Sequence, residues 1–216
     1  TIDVCRGDEA WNSSQVWYMP FDDLNAEVTS DITWWPWREW YYTINVCNFA
    51  ISRCGEDNSQ LSNKMKRIKG QVLFLRGLSY YNLVGYYQNP PLITDYATYS
   101  SLDGLYTTNS TYDNVLDQVE KDFHEAMELL PSRDEGGEWA GGRATCGAAA
   151  GYYARALMMR QKYSDALTVL KDIIGKKYGT YRLMSNYGDN FREGSAYENN
   201  AESLFEVQFL DYGSQG

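Results

Sequence analysis

Six of the seven tryptophans fall within the first 40 residues, at positions 11, 17, 34, 35, 37 and 40. A sugar ring presents an apolar C–H face ringed by hydroxyls. A protein that holds one therefore needs a flat aromatic platform with hydrogen-bonding side chains at its edges. The stretch Asp31-Ile32-Thr33-Trp34-Trp35-Pro36-Trp37-Arg38 supplies both kinds of group. Trp34 and Trp35 are consecutive and cannot both face one core, and Pro36 biases Trp35 toward extended backbone. At least one of Trp34, Trp35 and Trp37 is thus expected to stand exposed, with Asp31 and Arg38 beside it to bond hydroxyls. The same indoles would also suit the apolar lining where a loop meets a helix, or a contact surface for another protein. Tyr96, Tyr99 and Tyr106 lie in a polar stretch and are further candidates for ligand or partner contact. Trp40, Tyr41 and the tyrosine pairs at 80–81, 86–87 and 152–153 sit in helical patterns and are expected to pack.

Other chemistries find little support. Glu125 with Glu128, and Asp165 with Asp172, line polar helix faces, but no spacing singles out the paired acids of a glycosidase. G-x-S-x-G, Walker and H-E-x-x-H motifs do not occur, and Gly136-Gly137…Gly141-Gly142 lacks the strand–loop–helix setting with Lys that cradles phosphate. The single histidine, His124, belongs to a helix and is expected at its surface. Cys5, Cys47, Cys54 and Cys146 form no CxxC pair, which disfavours zinc. Cys47 and Cys54 are about 10 Å apart along a helix, beyond the roughly 7 Å between Cα atoms that a disulfide tolerates. The sequence therefore points to no metal, no cofactor and no enzymatic activity. A net charge of −10 excludes nucleic acid and anionic lipid surfaces as natural partners, and no apolar run approaches the ~20 residues that span a bilayer.

The elements that position these residues are helical. Residues 1–33 read as irregular, 34–175 as a helical repeat region and 176–216 as loop and strand, all within one domain. From Trp34, residues Trp37, Trp40, Tyr41, Ile44, Asn48 and Ile51 recur at helical spacing, and Gly55 is a stop signal. A second helix is predicted from Ser59 or Ser62 to Tyr87, with an apolar stripe of Ile68, Val72, Leu75, Leu78, Leu83 and Tyr86, stopped by Pro90-Pro91. Residues 88–111 read as a long polar loop. Thr111 or Asp113 caps a third helix that turns Val115, Leu116, Val119, Phe123, Ala126, Met127 and Leu130 inward and ends at Pro131. Helices near 143–160 and 163–175 form a hairpin around a turn at Gln161-Lys162. Ala154 and Ala166, twelve apart, have the spacing at which tetratricopeptide repeats cross closely, with Leu170 at the repeat's large apolar site. Arg76 and Arg143 are read as structural. Alternation in Ser203–Phe209 predicts a strand.

Gly70-Gln71-Val72-Leu73-Phe74-Leu75-Arg76-Gly77-Leu78-Ser79-Tyr80-Tyr81-Asn82-Leu83-Val84 followed by Pro91-Leu92-Ile93 resembles the signature helix and exit loop of the SusD/RagB family. Tyr112-Asp113-Asn114-Val115 to Glu128-Leu129-Leu130-Pro131, Gly142-Arg143-Ala144-Thr145, and Asn199-Asn200-Ala201-Glu202-Ser203-Leu204-Phe205 resemble its later blocks, in the same order. Two departures stand out: the family's usual Glu-Ala pair reads Gln71-Val72, and the Ala after the arginine reads Gly77, which implies a close neighbour packed on that glycine.

The resemblance implies a mainly α, SusD-like fold of tetratricopeptide-like hairpins with long loop insertions and a little β, present here as a fragment of a longer protein. It implies a non-catalytic, surface-exposed lipoprotein of the Bacteroidota outer membrane that captures a glycan for a SusC-like TonB-dependent barrel transporter. The lipid anchor is expected outside this sequence, since Cys5 lacks a lipobox context. A peptide ligand in the same receptor role, or a helical-repeat adaptor that binds only protein, are the alternatives.

Overall fold

The computed structural model describes residues 19–22, 25, 31–55, 57–101, 103–139, 141–194 and 196–208. Cys5, Trp11 and Trp17 lie outside the described residues, as does most of the stretch read as irregular. The chain divides into two compact units, residues 1–43 and 44–216. The first holds a helical turn, Met19–Asp22, and the opening turns of helix α1, Asp31–Cys54. The second holds the rest of α1 together with α2 (Asn63–Tyr87), α3 (Tyr112–Leu129), α4 (Cys146–Met159) and α5 (Tyr163–Ile174). Each of α2 to α5 packs on the next in sequence, as a stack of helical hairpins does.

Local chemistry sets the helix ends. Ser62 Oγ accepts from the Met65 amide (3.3 Å), Thr111 Oγ1 from Asn114 (3.2 Å) and Thr145 Oγ1 from Ala148 (3.2 Å), so three helices open on a side-chain cap. Gly55, at φ 81°, takes the left-handed conformation that closes α1. Gln161, at φ 58°, makes the tight turn into α5. Around that turn Arg160 pairs with Asp117 and Glu120, and Lys162 with Glu120 (2.7 Å), tying the α4–α5 hairpin to α3.

The core is aromatic at its centre. Phe74 of α2 lies 5.7 Å from Phe123 of α3, 5.6 Å from Tyr152 of α4 and 4.9 Å from Phe205, ring centre to ring centre. On α3 six of the seven residues that the periodicity turns inward are buried, Val115, Leu116, Val119, Phe123 and Ala126 fully and Leu130 nearly so; Met127 is half-buried, and Asp122 joins the inward face. Ala154 and Ala166 are buried too, on helices that pack together.

On α2 the predicted stripe is wrong. Ile68 and Leu75 are exposed, Val72, Leu78 and Tyr86 are half-buried, and of the six only Leu83 is buried. The inward face instead carries Gly70, Phe74, Arg76, Gly77 and Tyr80. A Cβ on Gly70 would lie 2.8 Å from Leu130 Cγ, and one on Gly77 3.1 Å from Phe123 and 3.2 Å from Asp122. The two glycines let α3 approach, and a buried ion pair replaces apolar contact at the centre. Arg76 donates through Nε (2.8 Å) and Nη2 (2.7 Å) to the two oxygens of Asp122, and through Nη1 (2.9 Å) to Asn48 of α1. Asn48 in turn donates to the Ile93 carbonyl (2.8 Å). Tyr80 Oη both donates to that carbonyl (2.8 Å) and accepts from the Ile93 amide (2.7 Å), which pins the exit of α2. Burial acts to lower the Arg76 pKa, but the hydrogen bonds and charge of Asp122 prevail and raise it.

Three further expectations need correction. The first helix begins at Asp31 rather than Trp34, so Trp35 is helical and not extended. Pro36 lies within the opening two turns, where the bias it imposes on Trp35 is a tendency that the surrounding helix overrides. No strand forms among the described residues, and 203–208 are irregular. A strand needs a ladder partner. Here Arg133 answers the carbonyls, donating to those of Asn199 (3.1 Å), Asn200 (3.1 Å) and Ser203 (3.0 Å), while Phe205 anchors in the aromatic core. Leu170 and Ile174 of α5 are exposed, and Val169 and Ile173 fill the inward positions.

Candidate functional site

In the first unit the candidate residues fall on the opening turns of α1. At 3.6 residues per turn, positions 31, 34, 35 and 38 share one side of a helix, so Asp31, Trp34, Trp35 and Arg38 form a single stripe. Trp34 is 49% and Trp35 58% exposed, which leaves both indoles in solvent. The Arg38 guanidinium sits 4.9 Å from the Trp34 ring centre and donates through Nε to Glu39 Oε1 (2.9 Å), so its plane is held beside the indole. Asp31, in the first turn, has its charge where the helix dipole favours it. Trp37 lies on the flank of this stripe, half-buried, with its ring 4.9 Å from that of Tyr41. The structure thus groups four of the five candidates and sets Trp37 to one side.

In the second unit Tyr96 opens a 3-10 turn, Tyr96–Ser100, capped by Asp95 Oδ1 accepting from the Ala97 amide (3.0 Å). The ring of Tyr96 meets that of Phe49 edge-on at 5.0 Å, and Arg53 lies 5.2 Å from the centre of Phe49. Phe49, 41% exposed, was not singled out from the sequence. Its helical register with Arg53 was legible, but its approach to Tyr96 depends on a loop with no periodicity. Tyr99 belongs to the same turn, and its side chain is outside the described residues. Tyr106 is 83% exposed.

A polar cleft of about 870 Å³ opens beside α2 and α3, lined in part by Lys69, Arg76, His124, Glu125 and Tyr153. Lys69 and Glu125 are paired within it. Lys69 is buried and donates to Asn58 Oδ1 (2.8 Å) and the Gly55 carbonyl (3.0 Å), and lies 3.2 Å from Glu125. Burial works to raise the Glu125 pKa, yet the hydrogen bonds from Asn58 and Lys69 carry it below the usual carboxylate value. His124 is on the surface, against Tyr153. Among the described residues no three His, Cys, Asp or Glu side chains converge as metal ligands, and no helix is long and apolar enough to cross a membrane.

The chain belongs to the SusD-like family: the family model described as "starch-binding associating with outer membrane" matches residues 3–158. A SusD-like protein of Formosa agariphila is 24% identical over 177 residues, which cover 80% of this chain and 31% of that protein. The fold is that of a SusD superfamily protein from Bacteroides vulgatus (TM-score 0.82, 23% identity, 96% of this chain and 43% of the other). Surface glycan-binding protein A from Bacteroides uniformis is similar (TM-score 0.78, 21% identity, 96% and 46%), as is a laminarin-binding SusD-like protein (0.69, 24%, 83% and 38%). The chain therefore spans less than half the length of these relatives.

Proposed function

We propose that the protein is a non-catalytic receptor that captures a glycan at the bacterial surface and passes it to a TonB-dependent outer-membrane transporter. The observation that carries this reading is the stripe of Asp31, Trp34, Trp35 and Arg38. Two solvent-facing indoles offer C–H-binding faces, and a carboxylate and a guanidinium flank them to bond ring hydroxyls. Trp37 supports the stripe from its flank, and Tyr96, against Phe49 in the second unit, is a separate candidate for aromatic contact, with Tyr99 proposed beside it in sequence. Glycan-binding relatives of the same fold support the ligand class. The non-catalytic reading is supported by the polar cleft, where Glu120 is engaged by Lys162 and Glu125 by Lys69. Membership of a family described as associating with the outer membrane supports the transporter partner and the lipid anchor as parts of this proposal.

Affinity electrophoresis against laminarin and starch, with Trp34→Ala, Trp35→Ala and Trp37→Ala, tests the reading. Loss of an exposed stacking indole is expected to weaken binding about tenfold. If the unsubstituted protein binds a glycan and all three variants keep its affinity, the site is misplaced. If no polysaccharide in a broad panel retards the protein, the glycan-receptor reading fails. Release of reducing sugar would overturn the non-catalytic assignment.

A further inference from the structure

In the second unit, the 3-10 turn Tyr187–Phe191 holds two aromatic rings in solvent. Tyr187 is 74% and Phe191 72% exposed, more than either indole of the α1 stripe. Their ring centres lie 5.2 Å apart, with the planes at 64°. The backbone beneath them is fixed. Asn186 caps the turn, its Oδ1 accepting from the Gly188 amide (3.1 Å) and its Nδ2 donating to Asp189 Oδ1 (3.1 Å). Glu202 Oε2 accepts from the Met184 amide (2.9 Å) and from Asn190 Nδ2 (3.0 Å), and Asn200 Nδ2 donates to Asn190 Oδ1 (3.0 Å). The turn is thus tied to residues 200–202, three positions before the core ring of Phe205. Rings carried on a backbone pinned in this way cannot fold back into a core, and leaving them in water is a standing cost. A ligand that covers them recovers it with little ordering still to be done.

We propose that Tyr187 and Phe191 form a second glycan-binding subsite, distinct from the stripe on α1. The inference rests on the glycan-receptor reading and adds a site in the second unit to it. Two rings at a steep angle make a corner, in which the C–H face of a pyranose can lie on one ring with its rim against the other. Between the rings the turn carries only Gly188, Asp189 and Asn190, so its surface is aromatic and polar without an aliphatic side chain. Arg192 follows Phe191 directly. It pairs with Asp189 (3.3 Å) and donates to Tyr197 Oη (3.3 Å), and both contacts use Nη1. A guanidinium has five N–H donors in a planar fork, so the Nε and Nη2 edges of this exposed side chain can serve ring hydroxyls.

Affinity electrophoresis of the protein in laminarin, starch and xylan gels tests this, with Tyr187→Ala, Phe191→Ala, Phe191→Leu and Phe191→Trp. The two alanine variants are expected to weaken binding about fivefold or more, with an unchanged thermal midpoint because both rings are exposed. Phe191→Leu keeps apolar bulk without a flat face and should weaken binding as much as Phe191→Ala, whereas Phe191→Trp should preserve it. If a glycan binds the parent and every variant keeps the parental affinity, the subsite is overturned and the receptor reading stands. Leucine serving as well as phenylalanine overturns it too, since stacking is then not the contact. A lowered thermal midpoint in both alanine variants makes the rings structural and has the same consequence. A Tyr187→Cys variant of the intact protein that reacts with a thiol dye only after unfolding places the turn inside an interface, which also overturns the subsite. Absence of retardation in all three gels overturns it along with the receptor reading.

Discussion

Arg76 of α2 and Asp122 of α3 are joined by two parallel hydrogen bonds, 2.8 and 2.7 Å long, with the arginine 5% exposed and the aspartate not at all. Gln118 adds a third bond to the carboxylate (2.7 Å), and Asn48 takes the remaining face of the guanidinium (2.9 Å). Three helices and the exit loop of α2 therefore meet at one pair of charges in the centre of the hairpin stack.

Removing one partner leaves the other charged and buried. Asp122→Ala is expected to cost about 3–5 kcal/mol in urea unfolding. The double variant Arg76→Met/Asp122→Leu should recover most of that loss, because an apolar pair of similar volume avoids the desolvation penalty. A loss below about 1 kcal/mol for the single variant contradicts the central role of the pair.

Glycines on α2 should divide by neighbour. A Cβ on Gly85 meets nothing within 4 Å, so Gly85→Ala is expected to stabilise by about 0.5–1 kcal/mol. A Cβ on Gly70 would press on Leu130 at 2.8 Å, and Gly70→Ala should destabilise by about 1–3 kcal/mol despite the better helix propensity. Thermal melts of the two variants, shifted in opposite directions, check this.

Ala154 of α4 is fully buried, and α4 packs against α5. Ala154→Leu is expected to overpack it at a cost of about 1–3 kcal/mol. An unchanged unfolding midpoint speaks against the close helix approach.

Glu125 has a lowered pKa in the folded protein, although burial opposes the shift, because Asn58 and Lys69 bond its charged form. A carboxyl whose folded pKa is depressed adds stability that is complete above its unfolded value, near 4.5, and fades as pH falls through the folded value. Glu125→Gln should therefore show a shallower loss of stability between neutral pH and the acid side than the parent. Parallel stability–pH curves would refute the pairing.

Burial pushes the Cys47 thiol up to about 12, against a smaller lowering by Arg76. Cys54 and Cys146 are also buried thiols, each raised by burial. In a Cys5→Ser background at pH 8, a thiol-reactive dye is expected to label the native protein far more slowly than the protein in urea. Rapid native labelling of Cys47 would show that its surroundings open.

The sequence determined the helical elements and most of their ends, the start of α1 excepted. Thr111 and Pro131 bracket α3, and its apolar residues recur at a period that only one face can satisfy. It also singled out Gly77 as a point of close packing, because a glycine inside a strong helix needs a neighbour that leaves no room for a Cβ. The exposed tryptophans were legible because two consecutive indoles cannot share a core. The tertiary structure decided which face of α2 turns inward. Periodicity counts apolar residues, and it cannot see that Arg76 meets Asp122, 46 positions away, to make charge the better occupant of the centre. It decided as well that Asp31, Trp34, Trp35 and Arg38 share a stripe, since the helix runs through Pro36, and that Phe49 meets Tyr96. Residues 203–208 show the same limit: alternation records a preference for extended backbone, but a strand exists only where another strand completes its hydrogen bonds, and among the described residues none does, while Arg133 bonds the carbonyls of Asn199, Asn200 and Ser203 at the segment's start.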